Sequence, residues 1–546
     1  MKLKLTFYCL TLLLIVFSSE NIRTVETESQ SLYSKKKFIV KTKYDLPVSE
    51  ATGEISTKSG FLSLDSKNEY FKIKKIKQVF KNPGANRDLY LKYDMSKFYV
   101  FYLPDDNRID IPGIVSAYNS DSLIEFSEPD FIGRAAGEKG SDGFVGNLFT
   151  DKVANDVTFI PNDEMFSRQW YLKNDGNMSP TSSGKPKIGA DIDMVEAWGV
   201  EIGSEDIIVA ILDSGIRDDH PDLKGRIWVN KNEIPNNGID DDGNGYIDDY
   251  IGWDFAYDKK SPKDGFGHGT NIATVIGAVT NNQIGYAGIN QRCKLMNCKN
   301  LADDNYGEYS WWAESVKYAV DNGAKVINMS EGGDDFSKTL KTACDYAVES
   351  GVLVVAAMMN RGNSYDHYPA SFGGVMAIGA TDTDDRRCKK FTWGGGSCWG
   401  KHIAVVAPGN RIYGLDYANI TNYNVYWSGT SQSTAIVSAI ASLLLAQDKK
   451  RKNTDLYNII TTTALDQVGD PYEDQPGWDE YYGYGRVDCF RALKNNTSKD
   501  YKQKTSIENK NKNSDINKDK PVDAKGNDKD DIRKKVKDND SPTPRN

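Results

Sequence analysis

Short, almost unbroken apolar runs recur through the middle of this chain, at residues 207–212, 326–329, 352–357, 375–379 and 403–407. Stretches with helical character separate them. A strand that faces water on one side alternates apolar and polar residues. A strand without alternation is covered on both faces, which is the situation inside a mostly parallel sheet. Helices between such strands must then lie on both faces of the sheet. The predicted fold class is therefore α/β, in a chain of 546 residues that has room for two or three domains.

The two ends of the chain read differently. Lys2 and Lys4 precede an apolar stretch from Phe7 to Phe17, and Ser18-Ser19 offers a small-residue cleavage site. Residues 1–19 are read as a secretory signal, too short for a comfortable membrane span. The expected location is the secretory pathway, with release or retention at a cell surface or in a secretory organelle. No integral membrane segment is expected after signal removal. Residues 20–135 read as a small α+β unit with strand-like runs at 37–41, 98–103 and 123–130. Gly, Asp and small residues from 133 to 158 suit an exposed, cleavable linker, and 136–160 is taken as the processing region. After about Lys494 a Lys/Asn/Asp tract begins, and 496–546 is read as a disordered polar tail. A net charge of −9 gives no basis for nucleic-acid binding.

Three polar residues stand out against this framework. Asp213 ends the first apolar run, where open α/β sheets carry their active sites. His268 lies in Gly-His-Gly-Thr and opens a helical stretch. Ser431 lies in Ser-Gly-Thr-Ser and opens another, 431–447. A carboxylate can fix the tautomer of an imidazole and stabilise its charged form. The imidazole can then take a proton from a hydroxyl. Each motif alone is a common cap or turn; together and in this order they are specific.

These blocks resemble the subtilisin-like serine proteases over roughly residues 160–495, and the remaining assignments in this subsection follow from that resemblance. It implies a subtilisin-like catalytic domain at 161–495, preceded by an inhibitory propeptide at 20–135. Asn360 matches the family's side-chain donor to the oxyanion. Ser330, Glu331 and Gly332 match the edge strand that pairs with an extended substrate, and Gly307 and Tyr309 lie in the facing strand. Met359 stands where the family has Gly, lining the pocket for the residue before the cut. It is expected to narrow that pocket, while Glu331 with Asp303, Asp304 and Glu308 should make the upstream side of the cleft acidic. Further departures are Gln432-Ser433-Thr434-Ala435 for the usual Met-Ala-x-Pro, and Asn271 for the usual His. Compositional bias and an acidic insertion resemble the subtilases of apicomplexan parasites, though bacterial members carry similar insertions.

Calcium is the expected cofactor, at two places. Gln169, Asp222 and Asn282, with carbonyls of Thr280, Ile284 and Tyr286, match the family's high-affinity site. Independently of the family, Asp240, Asp242 and Asn244 place oxygens around a Gly turn like half of an EF-hand loop, with Asp248 or Asp249 closing the site in place of the missing distal Glu. An acidic solvated turn has the same composition. Apart from Cys9 there are six cysteines. Cys388 and Cys398 flank a Gly-rich stretch and are the candidates for a local disulfide; the other four allow three pairings. The combined expectation is a monomeric secreted serine endopeptidase, made as a self-processed zymogen, acting on extended polypeptide and inhibited by its own propeptide. The alternative is a pseudoprotease that only binds protein through the same cleft.

Overall fold

The computed structural model describes residues 32–47, 55–84, 86–106, 109–141, 159–178 and 184–494. The expected signal at 1–19 and tail at 496–546 lie outside these residues. No described helix is long and apolar enough to cross a membrane.

The N-terminal unit contains β1 (Tyr33–Thr42), α1 (Leu62–Tyr70), β2 (Lys75–Gln78), α2 (Arg87–Lys92), β3 (Phe98–Tyr102), α3 (Ile111–Asn119) and β4 (Ile124–Ala135). Its strands pair antiparallel in the order β4-β1-β3-β2. One face of this sheet buries Phe38, Val40, Phe101 and Tyr118 as a core of its own. Full burial of such side chains contributes about 1.5–3 kcal/mol each. Beyond Ala135 the chain passes through Ala136 and Gly137 into β5 (Glu138–Ser141). The expected linker therefore begins as ordered strand, and only 142–158 of it falls outside the described residues.

The larger unit carries α4 (Met194–Ala197), β6 (Ile208–Asp213), β7 (Gly252–Asp254), α5 (His268–Gly277), β8 (Lys294–Lys299), β9 (Gly307–Glu308) and α6 (Tyr309–Asp321). It continues through β10 (Val326–Met329), β11 (Glu331–Gly332), α7 (Lys338–Glu349), β12 (Leu353–Ala357), β13 (Met376–Thr381), β14 (Ile403–Pro408) and β15 (Ile412–Tyr413). It closes with β16 (Val425–Ser428), α8 (Thr430–Gln447), α9 (Asn453–Thr463) and α10 (Cys489–Lys494). Seven strands form one sheet in the order β14-β13-β12-β10-β6-β8-β7. Every pairing in it is parallel. The unbroken apolar runs are these strands, and β12, β13 and β14 are buried at every position. Helix α8 runs through the interior on Ser, Ala and Thr, whose small side chains let sheet and helix approach closely.

Strand β4 joins the two units. Its far end pairs antiparallel with β9 and β11, so one strand closes the N-terminal sheet and also lies between two edges of the larger unit. Two acids near the start of this stretch cap helices of the larger unit. Glu128 accepts from the Ser337 hydroxyl at 2.8 Å and from the amides of Lys338 and Thr339 at the head of α7. Asp130 accepts from the amide and hydroxyl of Ser310 at 2.9 and 2.6 Å, at the head of α6. Carboxylates satisfy unpaired helix amides and oppose the helix dipole.

Candidate active site

Asp213 is the last residue of β6 and His268 the first of α5; both are fully buried. His268 Nδ1 lies 2.8 and 2.9 Å from the two Asp213 carboxylate oxygens. Gly267, which precedes the helix, has φ 103°, a left-handed conformation that suits a residue without Cβ. The opposite ring nitrogen, Nε2, is buried and makes no hydrogen bond. Ser431 lies in the first turn of α8, and its hydroxyl donates to the Ser330 carbonyl at 2.9 Å rather than to His268. Rotation about its Cα–Cβ bond to another staggered well re-aims it.

The chain between β4 and β5 occupies the space between these groups. Ala135 pairs with Glu331 and Arg134 with Gly332, while Ile132 and Gly133 pair with Glu308 and Gly307. The Ala136 amide donates to the Ser330 carbonyl at 2.8 Å. The Ala136 carbonyl accepts from the Ser431 amide at 3.2 Å. A Cβ placed on Gly429 would meet both that carbonyl oxygen, at 2.1 Å, and Asn360 Nδ2, at 2.8 Å. Ala136 O and the Asn360 amide thus crowd one small hollow. Asn360 is aimed there because its Oδ1 accepts from the Thr430 amide and hydroxyl at 2.9 and 3.1 Å. Gly137 follows, and a Cβ on it would stand 3.0 Å from His268 Nε2 and 3.1 Å from Gln432 Oε1. Beyond it, β5 pairs antiparallel with β16, matching Glu138 to Ser428.

Two of the sequence departures compensate each other. Gln432 Nε2 donates to Asn271 Oδ1 at 3.2 Å, and Asn271 Nδ2 donates to the Ile412 carbonyl. The unusual residues after Ser431 and His268 are one hydrogen-bonded pair, and they leave the Asp213–His268 contact intact.

Met359 and Glu331 behave differently from each other. Met359 has φ 71°, unfavourable for a side chain with Cβ. Its sulfur lies against Gly332, where a Cβ would stand 2.7 Å from it. It lines a recess of about 240 Å³ with Gly332, Asn360 and Trp393 beneath Ala136. Exchange of Met359 for Gly should relieve the backbone and open this recess. Preference for Phe over Ala before the cut should then rise about tenfold in kcat/KM across a peptide series. An unchanged ratio would show that Met359 does not set the limit. Glu331, expected to project acid into the cleft, instead points inward. It is fully buried, and its Oε1 accepts from Asn300 Nδ2 at 2.8 Å. Burial, and then the nearby Asp213 charge, hold its carboxyl well above the usual range. The side chains of neighbouring strand residues alternate, and the backbone of Glu331 is what meets β4. Of the facing strand, only Gly307–Glu308 is extended, and Tyr309 already begins α6.

The expected calcium ligands are partly regrouped. Asp222 accepts from Asn282 Nδ2 at 2.8 Å and from the Tyr286 amide at 2.9 Å, so these three and Ile284, whose amide bonds Asn282, form one loop cluster. His220 caps the turn, its Nδ1 accepting from the Asp222 amide at 3.1 Å. Thr280 exchanges hydrogen bonds with Gly288. Gln169 is not turned to the cluster; its side-chain amide bonds Ala287 and Tyr171. The second carboxylate at the loop is Asp163, which accepts from the amides of Asn281 and Asn282. Sequence reading missed it, although it follows Pro161-Asn162 where the larger unit begins. Burial pushes the Asp222 carboxyl up to about 7 and raises that of Asp163. Two buried carboxylates on one loop, Asp222 beside the Asn282 side chain and Asp163 at its backbone amide, are oxygen donors of the kind a hard divalent cation takes, and such an ion would hold both ionised.

In the acidic insertion, Asp240 accepts from the amides of Asn244 and Gly245 and closes the turn. Asp248 is spent on Lys260 and on the Asn237 and Gly238 amides. The carboxylates that converge with Asp242 are Glu233 and Asp249, with oxygens within 4.8 Å of one another. Glu233 Oε2 is buried without a hydrogen-bond partner. Asn244 is bonded to Asp249. Of the expected loop residues Asp242 alone stays in the carboxylate cluster, joined by Asp249 and from upstream by Glu233, while Asp240 and Asp248 turn to other partners.

The expected Cys388–Cys398 disulfide is not formed; all six described cysteines are free thiols. Cys388 packs with Ala380 and Phe391. Cys398 faces elsewhere, its sulfur 3.6 Å from His367 Nε2 and 3.2 Å from the Arg361 amide.

With this geometry established, similarity to known proteins decides the family. The sequence profile of the subtilase family, Peptidase S8, matches residues 204–485. The chain belongs to the subtilase family. Thermitase of Thermoactinomyces vulgaris is 32% identical over 324 residues, 59% of this chain and 100% of that protein. Subtilisin-like protease 1 of Plasmodium berghei is 29% identical over 53% of this chain and 50% of its own length. Among solved structures, fervidolysin of Fervidobacterium pennivorans, a keratinolytic enzyme related to subtilisin, superposes with a TM-score of 0.59 at 21% identity. That match covers 85% of this chain and 61% of the other, and shows the shared fold. As a subtilase, the chain is a subtilisin-like serine endopeptidase, a hydrolase of peptide bonds.

Proposed function

We propose that this subtilase is a secreted zymogen that cuts its own chain between Ala136 and Gly137, and that Asp213, His268, Ser431 and Asn360 perform the reaction. The observation that carries this reading is the seating of Ala136. Its amide is held by Ser330 O, its carbonyl oxygen meets the Ser431 amide, and the next residue lies against His268 Nε2.

In this reading Ser431 Oγ attacks the Ala136 carbonyl carbon while His268 Nε2 takes the hydroxyl proton. Asp213 keeps the proton of His268 on Nδ1 and stabilises the imidazolium. The Ser431 amide and Asn360 Nδ2 receive the developing oxyanion, aided by the N-terminus of α8. The imidazolium then returns its proton to the Gly137 nitrogen as the bond breaks, and water releases the acyl group by the same steps reversed. Other polypeptides would enter as β4 does, extended between β9 and β11. The N-terminal unit inhibits by occupying that place and steadies α6 and α7 through Asp130 and Glu128.

A Cβ at 137 would already press on His268 Nε2 and Gln432 Oε1 at 3.0 and 3.1 Å, and the two methyl groups of valine add to that crowding. The Gly137→Val precursor should therefore process at least about a hundredfold more slowly, since a 1 Å displacement at a reacting centre costs that much. N-terminal sequencing of secreted material reads the bond; a start other than Gly137 overturns the assignment.

Calcium supports the fold in this reading through Asp163, Asp222 and Asn282, and through Glu233, Asp242 and Asp249. When bound, the ion supplies electrostatic stabilisation and no chemistry. A ligand of the native state alone raises stability by mass action. Thorough chelation should lower the melting temperature by several degrees, with about 2 °C for each 1 kcal/mol in a domain this large. An unchanged melt after verified metal removal refutes the role.

A further inference from the structure

The N-terminal unit holds the larger unit by lysines as well as by the strand in the cleft. Lys37 on β1 pairs with Glu308, and its ammonium lies 4.8 Å from the Trp311 ring centroid. Lys77 on β2 lies 3.1 Å from Asp258 and 3.9 Å from Glu314. Lys81 lies 3.5 Å from Glu314 and sits over the Tyr246 ring at 3.8 Å, with Trp253 beside it at 5.5 Å. The larger unit thus offers carboxylates bordered by aromatic faces, a combination that attracts cationic side chains and here holds three ammonium groups. A cavity of about 640 Å³ separates part of this wall from the lysine-bearing sheet.

Among the described residues, every ion pair of Asp258, Glu308 and Glu314 is made to a lysine of the N-terminal unit. Their other named partners are neutral, such as the Tyr246 hydroxyl for Glu314 and the Tyr306 hydroxyl for Glu308. Departure of the N-terminal unit removes three cations, and with them every ion pair that Asp258, Glu308 and Glu314 make among the described residues. The wall begins beside β9, where Ile132 pairs with Glu308, on the amino-terminal side of the residues in the cleft.

We propose that in the processed enzyme this wall is an exosite for lysine-bearing segments of protein substrates, lying five or more residues upstream of the bond that is cut. The proposal rests on the cleft reading for its direction, since a substrate that enters as β4 does brings its upstream residues past Glu308. Electrostatic complementarity of this kind acts on capture and is screened by salt.

The test uses enzyme produced from the full chain and freed of its N-terminal unit. Three peptides share the sequence of residues 128–141, which keeps Glu128 and Asp130 at the heads of α7 and α6, and carry upstream extensions with three lysines, three glutamines or three glutamates. At low ionic strength the lysine peptide should exceed the glutamine peptide about tenfold in kcat/KM, through KM. The glutamate peptide should fall below both, and high salt should erase the order. The double variant Asp258→Asn, Glu314→Gln should lose the lysine advantage and cleave the unextended peptide at the wild-type rate. Equal kcat/KM for all three extensions overturns the proposal without any variant, and so does a lysine advantage that the double variant keeps. Failure to cut the unextended peptide speaks against the cleft reading instead. In that case the labelled lysine extension alone, followed by fluorescence anisotropy, decides the exosite: salt-sensitive binding supports it and no binding overturns it.

Discussion

The precursor carrying Ser431→Ala is expected to stay uncut, whereas the natural chain yields a product beginning at Gly137. Loss of the nucleophile lowers turnover by about six orders of magnitude in an enzyme of this type. Self-cleavage within one molecule is insensitive to dilution, so the comparison is made at several protein concentrations by intact mass. A fluorophosphonate probe should label the processed natural chain and leave the alanine variant unlabelled. The dependence on position follows from the hydrogen bonds at Ala136, which hold one carbonyl, and only one, against the Ser431 amide. Processing of the alanine variant at an undiminished rate in dilute solution would sink the assignment, and so would natural enzyme that is folded, processed and inert to the probe.

Asn360→Ala should fold and process far more slowly, with kcat on peptides reduced about a hundred- to a thousandfold and KM nearly unchanged. That is the scale of about 3–4 kcal/mol for one donor to a developing oxyanion. The change also removes the acceptor of the Thr430 amide, so the head of α8 is at risk. Asn360→Asp keeps that acceptor and takes away the donor. If Asn360 acts through donation, both variants lose kcat alike. An aspartate variant with natural kcat would assign Asn360 to holding α8 instead.

The sheet could be read from the sequence because its strands are covered on both sides, and burial on both faces leaves no alternation to interpret. Asp213, His268 and Ser431 were legible because each follows or opens such an element with small residues around it. Glu331 was misplaced because the strand of which it is part is only two residues long, and a run that short carries no signal of which side faces the interior. Gln169 rests on family likeness, and Asp163 carries no local signal of its own; its place depends on a loop more than a hundred positions away folding back, and the amides of Asn281 and Asn282 show Asp163 meeting it. The same distance hid the pairing of Asn271 with Gln432. The spacing of Cys388 and Cys398 suggested a bridge, but spacing does not reveal that His367 draws one sulfur to itself.

Strand β4 and strand β5 lie on opposite sides of the bond at Ala136, each paired to a different edge of the same cleft. A cut there therefore releases neither piece by itself. The new carboxyl group stays anchored through the whole N-terminal sheet. The new amine stays covalently tied to the enzyme and next to the imidazole, at the high effective concentration of a tethered group. In the proposed reaction, attack by that amine on the Ser431 acyl group re-forms the bond until water intervenes, so acyl transfer at this site would be reversible up to the hydrolytic step. In the proposed maturation, hydrolysis followed by the separate exit of two strands would make the cut one-way, and the slower exit would set when the first foreign chain can be admitted.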